Sequence, residues 1–223
     1  MLRDHARELG RKFPILTKMY DAFQHESGQV ISGDMPLIQI ENRLTTVGRL
    51  HFPSSLRGNS PYSWAVRGVF EELRAYTRRK LGDVTGAERI YVARFDAGTR
   101  RHIVNESDLA TALEAKGFQI VVPGQSQDYL TEMATFMNAK LIVGLTGAGL
   151  TNLAFAPSGS NVVELIPDNY RNDCYMLLCN ILGINYAVDV LYDMVAEDPD
   201  PHQCEWRIDV DAFVAYLSAL NLI

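Results

Sequence analysis

The chain has 223 residues, 47% of them hydrophobic and 22% charged, which is ordinary for a globular protein that buries a core without disulfide or metal staples. A formal net charge of -6 and a pI near 5.4 argue against a general nucleic-acid binder, although a local arginine cluster could still hold phosphates. Cys174, Cys179 and Cys204 form no disulfide framework, and the mixed charges of residues 1–12 exclude a secretory signal. The thiols read as reduced and mostly buried. His5, His25, His51, His102 and His202 show no metal-ligand spacing, and no stretch is long and apolar enough to span a bilayer. The expectation is a soluble, cytoplasmic chain with no metal site.

In chain order, apolar spacing predicts a helix over residues 1–27, interrupted by Pro14, then short strands at 30–31, 37–40 and 44–50. Residues 53–61 read as a loop. Pro61 then opens a helix with an apolar stripe of Trp64, Val66, Val69, Phe70, Leu73 and Tyr76, closed by Gly82. Strand and helix alternate from there. Strand 89–94 precedes a helix at 108–116, with Asn105 and Ser107 as capping candidates and Gly117 at its close. Strand 118–122, helix 130–138, strand 141–143 and a short helix at 150–156 follow. Strand 162–166, helix 170–182, strand 184–188 and an amphipathic helix at 209–222 complete the chain. This pattern predicts an α/β fold with a Rossmann-like, mostly parallel sheet and helices on both faces. The apolar strands at 120–122, 141–143 and 162–166 fit strands covered on both sides.

The main chemical signal is Gly144-Leu145-Thr146-Gly147-Ala148-Gly149-Leu150-Thr151-Asn152, which follows a buried strand and opens a helix. Glycines there let the backbone approach a ligand and permit positive φ. Free amides at the helix start favour an anion, and Thr146, Thr151 and Asn152 add short polar side chains. The alternative is a tight turn whose glycines serve packing alone. The order G-x-x-G-x-G is not the dinucleotide fingerprint, and it comes after at least two strand–helix units rather than in the first. Glu164, twenty residues after Gly144, keeps a nicotinamide enzyme in view. Leu150-Thr151 stands where a P-loop would need lysine.

Arg94 at a strand end, with Arg100, Arg101 and His102 just after it, forms a basic constellation. Ligands of open α/β sheets bind beyond the carboxyl ends of the strands, so Arg94 shares a rim with residues 144–149. Guanidinium groups pair with phosphate oxygens and stabilise a departing diphosphate. Otherwise they are solvated, or paired with Asp96 or Glu106. Glu164, read as a strand-end carboxylate, either accepts bonds from ribose hydroxyls or pairs with an arginine. His102 reads as a support for the arginines, and Asp96 and Asp128 as acid/base candidates near the rim.

The run Arg100-Arg101-His102-Ile103-Val104-Asn105-Glu106, then Leu113 and Gly117-Phe118, then residues 144–152 with Phe155-Ala156-Pro157, then Val162-Val163-Glu164-Leu165, resembles glycosyltransferase family 61. The resemblance covers roughly residues 88–192 and extends weakly to Val47-Gly48-Arg49-Leu50 and Ser60-Pro61. It implies a GT-B fold with the donor held mainly by the C-terminal Rossmann-like domain, inversion at the anomeric carbon, and no obligatory metal or cofactor. The donor is a nucleoside-diphosphate sugar. Carried over, Arg94, Arg101 and the loop of Gly147, Ala148, Gly149, Leu150, Thr151 and Asn152 hold the diphosphate, with Arg100, Asn105 and Thr146 as further donor-binding candidates. Glu164 holds the ribose, Asn105 and Glu106 shape the site or its helix cap, and Asp96 is the candidate general base.

Thr146 departs from the family's usual histidine, and Thr131-Glu132 from its usual Glu-Gln. The chain is also short for two domains, so it reads as a truncated, minimal or inactive form. Residues 1–60 read as a partial N-terminal unit or remnant and 61–223 as a nucleotide-sugar-binding domain. The expected activity is transfer to a glycan, lipid-linked or other hydroxyl acceptor, in capsular or exopolysaccharide synthesis, with no nucleic-acid partner and with room for peripheral membrane association. The alternatives are a non-catalytic nucleotide-sugar-binding module and, last, an NAD(P)-dependent oxidoreductase.

Overall fold

A computed structural model describes residues 66–82, 85–95, 101–125, 129–170 and 172–223. The chain divides after Ser55, and every described residue lies in the second part, Leu56–Ile223. The elements expected before residue 66, and Asp96, Arg100 and Asp128, lie outside the described residues.

In chain order the described elements are α1 (Val66–Leu81), β1 (Arg89–Val92), β2 (His102–Ile103), α2 (Glu106–Glu114), β3 (Gln119–Val121), α3 (Tyr129–Asn138) and β4 (Leu141–Leu145). A 3-10 helix (Ala148–Phe155) follows, then β5 (Asn161–Pro167), α4 (Cys174–Leu182), β6 (Asn185–Leu191), β7 (Asp193–Ala196), β8 (Glu205–Arg207) and α5 (Val210–Ala219). Five strands form one sheet in the order β3-β1-β4-β5-β6, and every neighbouring pair is parallel. The fold is therefore the expected α/β type with a mostly parallel, Rossmann-like sheet.

The strand order fixes where a ligand can sit. From β1 the chain moves outward to β3, then crosses back to β4 on the other side of β1. The carboxyl ends of β1 and β4 thus flank the switch point, where the connections leave in opposite directions and where sheets of this kind commonly bind ligands.

Alternation along the strands sends successive side chains to opposite faces. Tyr91, Leu141, Val143, Leu145, Val163 and Leu165 pack with Leu109 and Leu113 of α2 and Phe213 and Leu217 of α5. On the other side α1, α3, the 3-10 helix and α4 pack against one another. The central strands are closed on both faces: all five residues of β4 are buried. Burying each large apolar side chain contributes about 1.5–3 kcal/mol. β3 departs from the expected covered strand. It lies at the sheet edge, and Gln119 is exposed.

The helix ends follow their sequence signals. Gly117 takes φ +81, and the Phe118 amide bonds Leu113 O at 3.1 Å, closing α2. Gly183 does the same for α4, with the Ile184 amide on Cys179 O at 2.9 Å. Asp209 caps α5 through its bond from the Ala212 amide at 3.0 Å. Two expected helices shift their starts. α2 begins at Glu106, which places Ser107 inside it, and α4 begins at Cys174 rather than at 170.

A second sheet, β2-β8-β7, was not foreseen. β2 pairs parallel with β8, His102 opposite Glu205 and Ile103 opposite Trp206. Ile103 and Trp206 are both 1% exposed and join the core. This pairing sets the segment before β2 beside the segment before β8. No helix among the described residues is long and apolar enough to cross a membrane.

Candidate functional site

At the switch point, β4 ends and the chain passes through Thr146 and Gly147 into the 3-10 helix. The register pairs Val92 with Gly144, so β1 runs out beside this turn and delivers Arg94 to it. The Arg94 Nη1 donates to Thr146 O at 2.8 Å. Its own amide donates to Glu106 Oε1 at 2.8 Å, and the Tyr91 hydroxyl donates to the same oxygen at 2.9 Å. Glu106, buried at the first position of α2, therefore fixes the backbone that aims Arg94.

Gly147 is required by space, not by conformation. Its backbone is extended at φ 160, ψ 172. A Cβ there would lie 1.9 Å from Arg94 Nη1 and 3.6 Å from Arg101 Nη2. The two guanidinium groups thus converge on one glycine at the switch point. The glycines at 144 and 149 also make room: a Cβ at Gly144 would meet Leu150 Cδ2 at 2.9 Å, and one at Gly149 would meet Pro123 Cγ at 2.9 Å. None of the three takes the left-handed φ that the motif was expected to permit. The Gly147 carbonyl accepts the Tyr175 hydroxyl and the Leu150 amide. The amides of Ala148 and Gly149 open the 3-10 helix, where intrahelical acceptors are lacking and an anion is favoured.

Arg101 reaches the turn from the small sheet. It holds φ 51, a left-handed conformation that costs a non-glycine residue about 1–3 kcal/mol. Its amide bonds His202 O at 2.6 Å, and its Nη1 lies 3.0 Å from His202 Nδ1. The guanidinium carbon sits 4.8 Å from the centre of the Tyr170 ring.

Several expected donor residues turn out to be committed to the fold. Asn105 stands at the N-cap of α2 but makes no side-chain cap bond. Its Nδ2 donates to Ile208 O at 2.9 Å and its Oδ1 accepts the Ile208 amide at 3.1 Å, tying α2 to the segment after β8. Asn152 Nδ2 donates to Glu132 Oε1 at 3.0 Å, and Glu132 Oε2 accepts the Gly124 amide at 3.0 Å. Leu150 is fully buried and its amide is spent on Gly147. Thr146 is 2% exposed. Ala148 and Thr151 are exposed on the 3-10 helix. His102 faces Glu205 at 3.6 Å instead of supporting the arginines.

Glu164 was expected at a strand end. β5 continues to Pro167, so Glu164 lies mid-strand opposite Gly144 and is fully buried beneath the turn. The Tyr186 hydroxyl donates to its Oε2 at 2.6 Å, while Oε1 is buried without a well-aligned hydrogen-bond partner. Burial pushes its pKa above the ordinary carboxylate value. The nearby Thr146 and Tyr186 hydroxyls and the Arg101 charge offset this only in part. In turn, burial beside Glu164 pushes the Cys179 thiol up to about 12 and the Cys174 thiol up to about 11. Neither is a ready nucleophile. Among the described residues, no three His, Cys, Asp or Glu side chains gather to hold a metal ion.

Tyr170, Tyr175, Tyr186 and His202 carried no motif signal, and Glu132 entered only as a departure from the family pattern. The three tyrosines lay in an expected helix and strand, and His202 in a stretch between 188 and 209 for which no element was expected. Only the pairing of β2 with β8 brings His202 to Arg101.

The sequence matches the family model described as Glycosyltransferase 61 over residues 18–163. It is 30% identical over 107 residues to the EGF domain-specific O-linked N-acetylglucosamine transferase of Drosophila melanogaster, covering 47% of this chain and 20% of that protein. It is 28% identical over 178 residues to the protein O-linked-mannose beta-1,4-N-acetylglucosaminyltransferase 2 of Xenopus tropicalis, covering 70% and 30%. A beta-1,2-xylosyltransferase of Oryza sativa subsp. japonica is 31% identical over 96 residues, covering 43% and 17%. The chain thus matches less than a third of the length of each of these relatives.

Proposed function

The chain belongs to the Glycosyltransferase 61 family, and we propose that its switch-point crevice binds the diphosphate of a nucleotide-sugar donor for an inverting transfer to a hydroxyl acceptor. The observation that carries this reading is the convergence of Arg94 and Arg101 on Gly147, where any side chain would displace a guanidinium. As the bond from the anomeric carbon to the diphosphate breaks, negative charge builds on the departing oxygens. Two fixed guanidiniums and the amides of Ala148 and Gly149 meet that charge without reorganising. Thr151, exposed beside them, is the motif side chain suited to a further phosphate or sugar contact.

The base that takes the acceptor proton is assigned to Asp96, in the segment that follows Arg94. Glu164 serves the ribose only if the turn above it opens. In the whole enzyme the arrangement is GT-B, with the donor-binding domain within residues 61–223, and the acceptor is a glycan or lipid-linked hydroxyl. The setting is cytoplasmic, at a membrane surface, in capsular or exopolysaccharide synthesis. The names of the relatives make N-acetylglucosamine and xylose the first donor sugars to try.

A thermal-shift screen with UDP, GDP, CMP-sugars and NAD(P) tests the reading. Stabilisation by a nucleoside diphosphate is expected, about 2.7 kcal/mol at a hundredfold excess over Kd. Stabilisation by NAD(P) alone would make the family chemistry wrong for this site. Hydrolysis of the donor, or its transfer to an acceptor, then separates an active transferase from a binding module.

A further inference from the structure

Arg101 is held by residues that no motif predicted, and they make it more than a nearby charge. The β2–β8 pairing lays the 101 and 202 segments side by side, with the Arg101 amide on His202 O at 2.6 Å. The Arg101 Nη1 then meets His202 Nδ1 at 3.0 Å. A guanidinium has donors only, so this contact requires Nδ1 to accept and the ring proton to sit on Nε2. The Tyr170 ring lies under the guanidinium at 4.8 Å and against the His202 ring at 4.4 Å between centroids. His202 is itself fixed through its amide, which bonds Asp200 Oδ1 at 3.0 Å. With one edge and one face of the guanidinium taken, Nη2 is the end directed at Gly147. The Nε is buried and lacks a hydrogen-bond partner.

We infer that Tyr170 and His202 are positioning residues that clamp Arg101 so that its guanidinium meets the donor diphosphate at the Gly147 turn. This rests on the diphosphate reading above. A free arginine side chain loses rotamer entropy on binding, whereas a stacked and hydrogen-bonded one has already lost it. The clamp therefore acts on affinity through Arg101 alone.

Calorimetric titration with UDP and GDP tests this on the wild-type chain and on Tyr170→Leu, His202→Ala, Tyr170→Phe and His202→Asn, each with and without Arg101→Ala. Tyr170→Leu and His202→Ala should each weaken the diphosphate that binds by about three- to tenfold. Tyr170→Phe keeps the ring face and His202→Asn keeps an acceptor near Nδ1, so both should stay within about twofold. In the Arg101→Ala background the losses should vanish, because the clamp then holds nothing. His202 sits in a turn whose backbone bonds survive truncation, so His202→Ala gives a reading even if Tyr170→Leu does not fold.

Unchanged affinity in His202→Ala, or losses that persist without Arg101, would overturn the inference and leave the diphosphate reading intact. A wild-type chain that binds neither UDP nor GDP would overturn both.

Discussion

Two strand-to-helix junctions in this molecule each carry expected donor-site residues, and the fold uses them differently. Ahead of α2, Asn105 and Glu106 turn inward. Asn105 binds both backbone groups of Ile208, and Glu106 receives Tyr91 and the Arg94 amide. After β4, by contrast, Gly147 and Ala148 leave space and backbone amides beneath two arginines. A polar side chain beside buried unpaired backbone is drawn into the fold, because leaving such groups unsatisfied costs about 1–3 kcal/mol. A glycine has no side chain to draw in, so the junction that lacks side chains keeps its space and amides for the proposed diphosphate.

That contrast is sharpened by variants that separate affinity from stability. The largest effect should come from Gly147→Ala. Its methyl cannot coexist with Arg94 Nη1, and nucleoside-diphosphate affinity should fall by about a hundredfold in a titration. Arg101→Ala should weaken the same ligand by about ten- to a hundredfold with little change in melting temperature. Asn105→Ala should do the reverse. Losing two bonds to Ile208 should cost about 2 kcal/mol in a urea melt while affinity holds. Asn152→Ala removes one partner of buried Glu132 and should cost about 1 kcal/mol, again with affinity unchanged.

The smallest effect concerns Glu164, whose folded pKa is raised by burial. The stability associated with a raised carboxyl pKa is fully present below the unfolded value and is lost as pH rises through the folded one. Glu164→Gln should therefore raise the melting temperature at pH 8, and the gain should shrink toward pH 4. A gain that grew on acidification would mean that the carboxylate is stabilised where it lies.

The sheet was legible because its strands are short apolar runs set off by glycine and proline, as at 141–143 and 162–166. Arg94 and the glycine turn were legible as neighbours because each follows a strand of the parallel sheet, whose carboxyl ends share one rim. The small sheet was not legible. β2 has two residues and β8 three, too few for a period, and their pairing joins segments about a hundred positions apart. With it were hidden Tyr170 and His202, and the fact that Arg101 is clamped. Glu164 was misplaced for another reason: the expected run 162–166 already set it mid-strand, but its twenty-residue spacing from Gly144 suggested a strand-end ribose acid.

On the proposed reading, Arg94 and Arg101 hold a diphosphate across Gly147. Calorimetric titration of the wild-type chain with UDP against UMP, and GDP against GMP, tests it most directly. One diphosphate should bind, and removing its terminal phosphate should weaken binding by at least about tenfold. Equal affinity for the monophosphate and the diphosphate would contradict it.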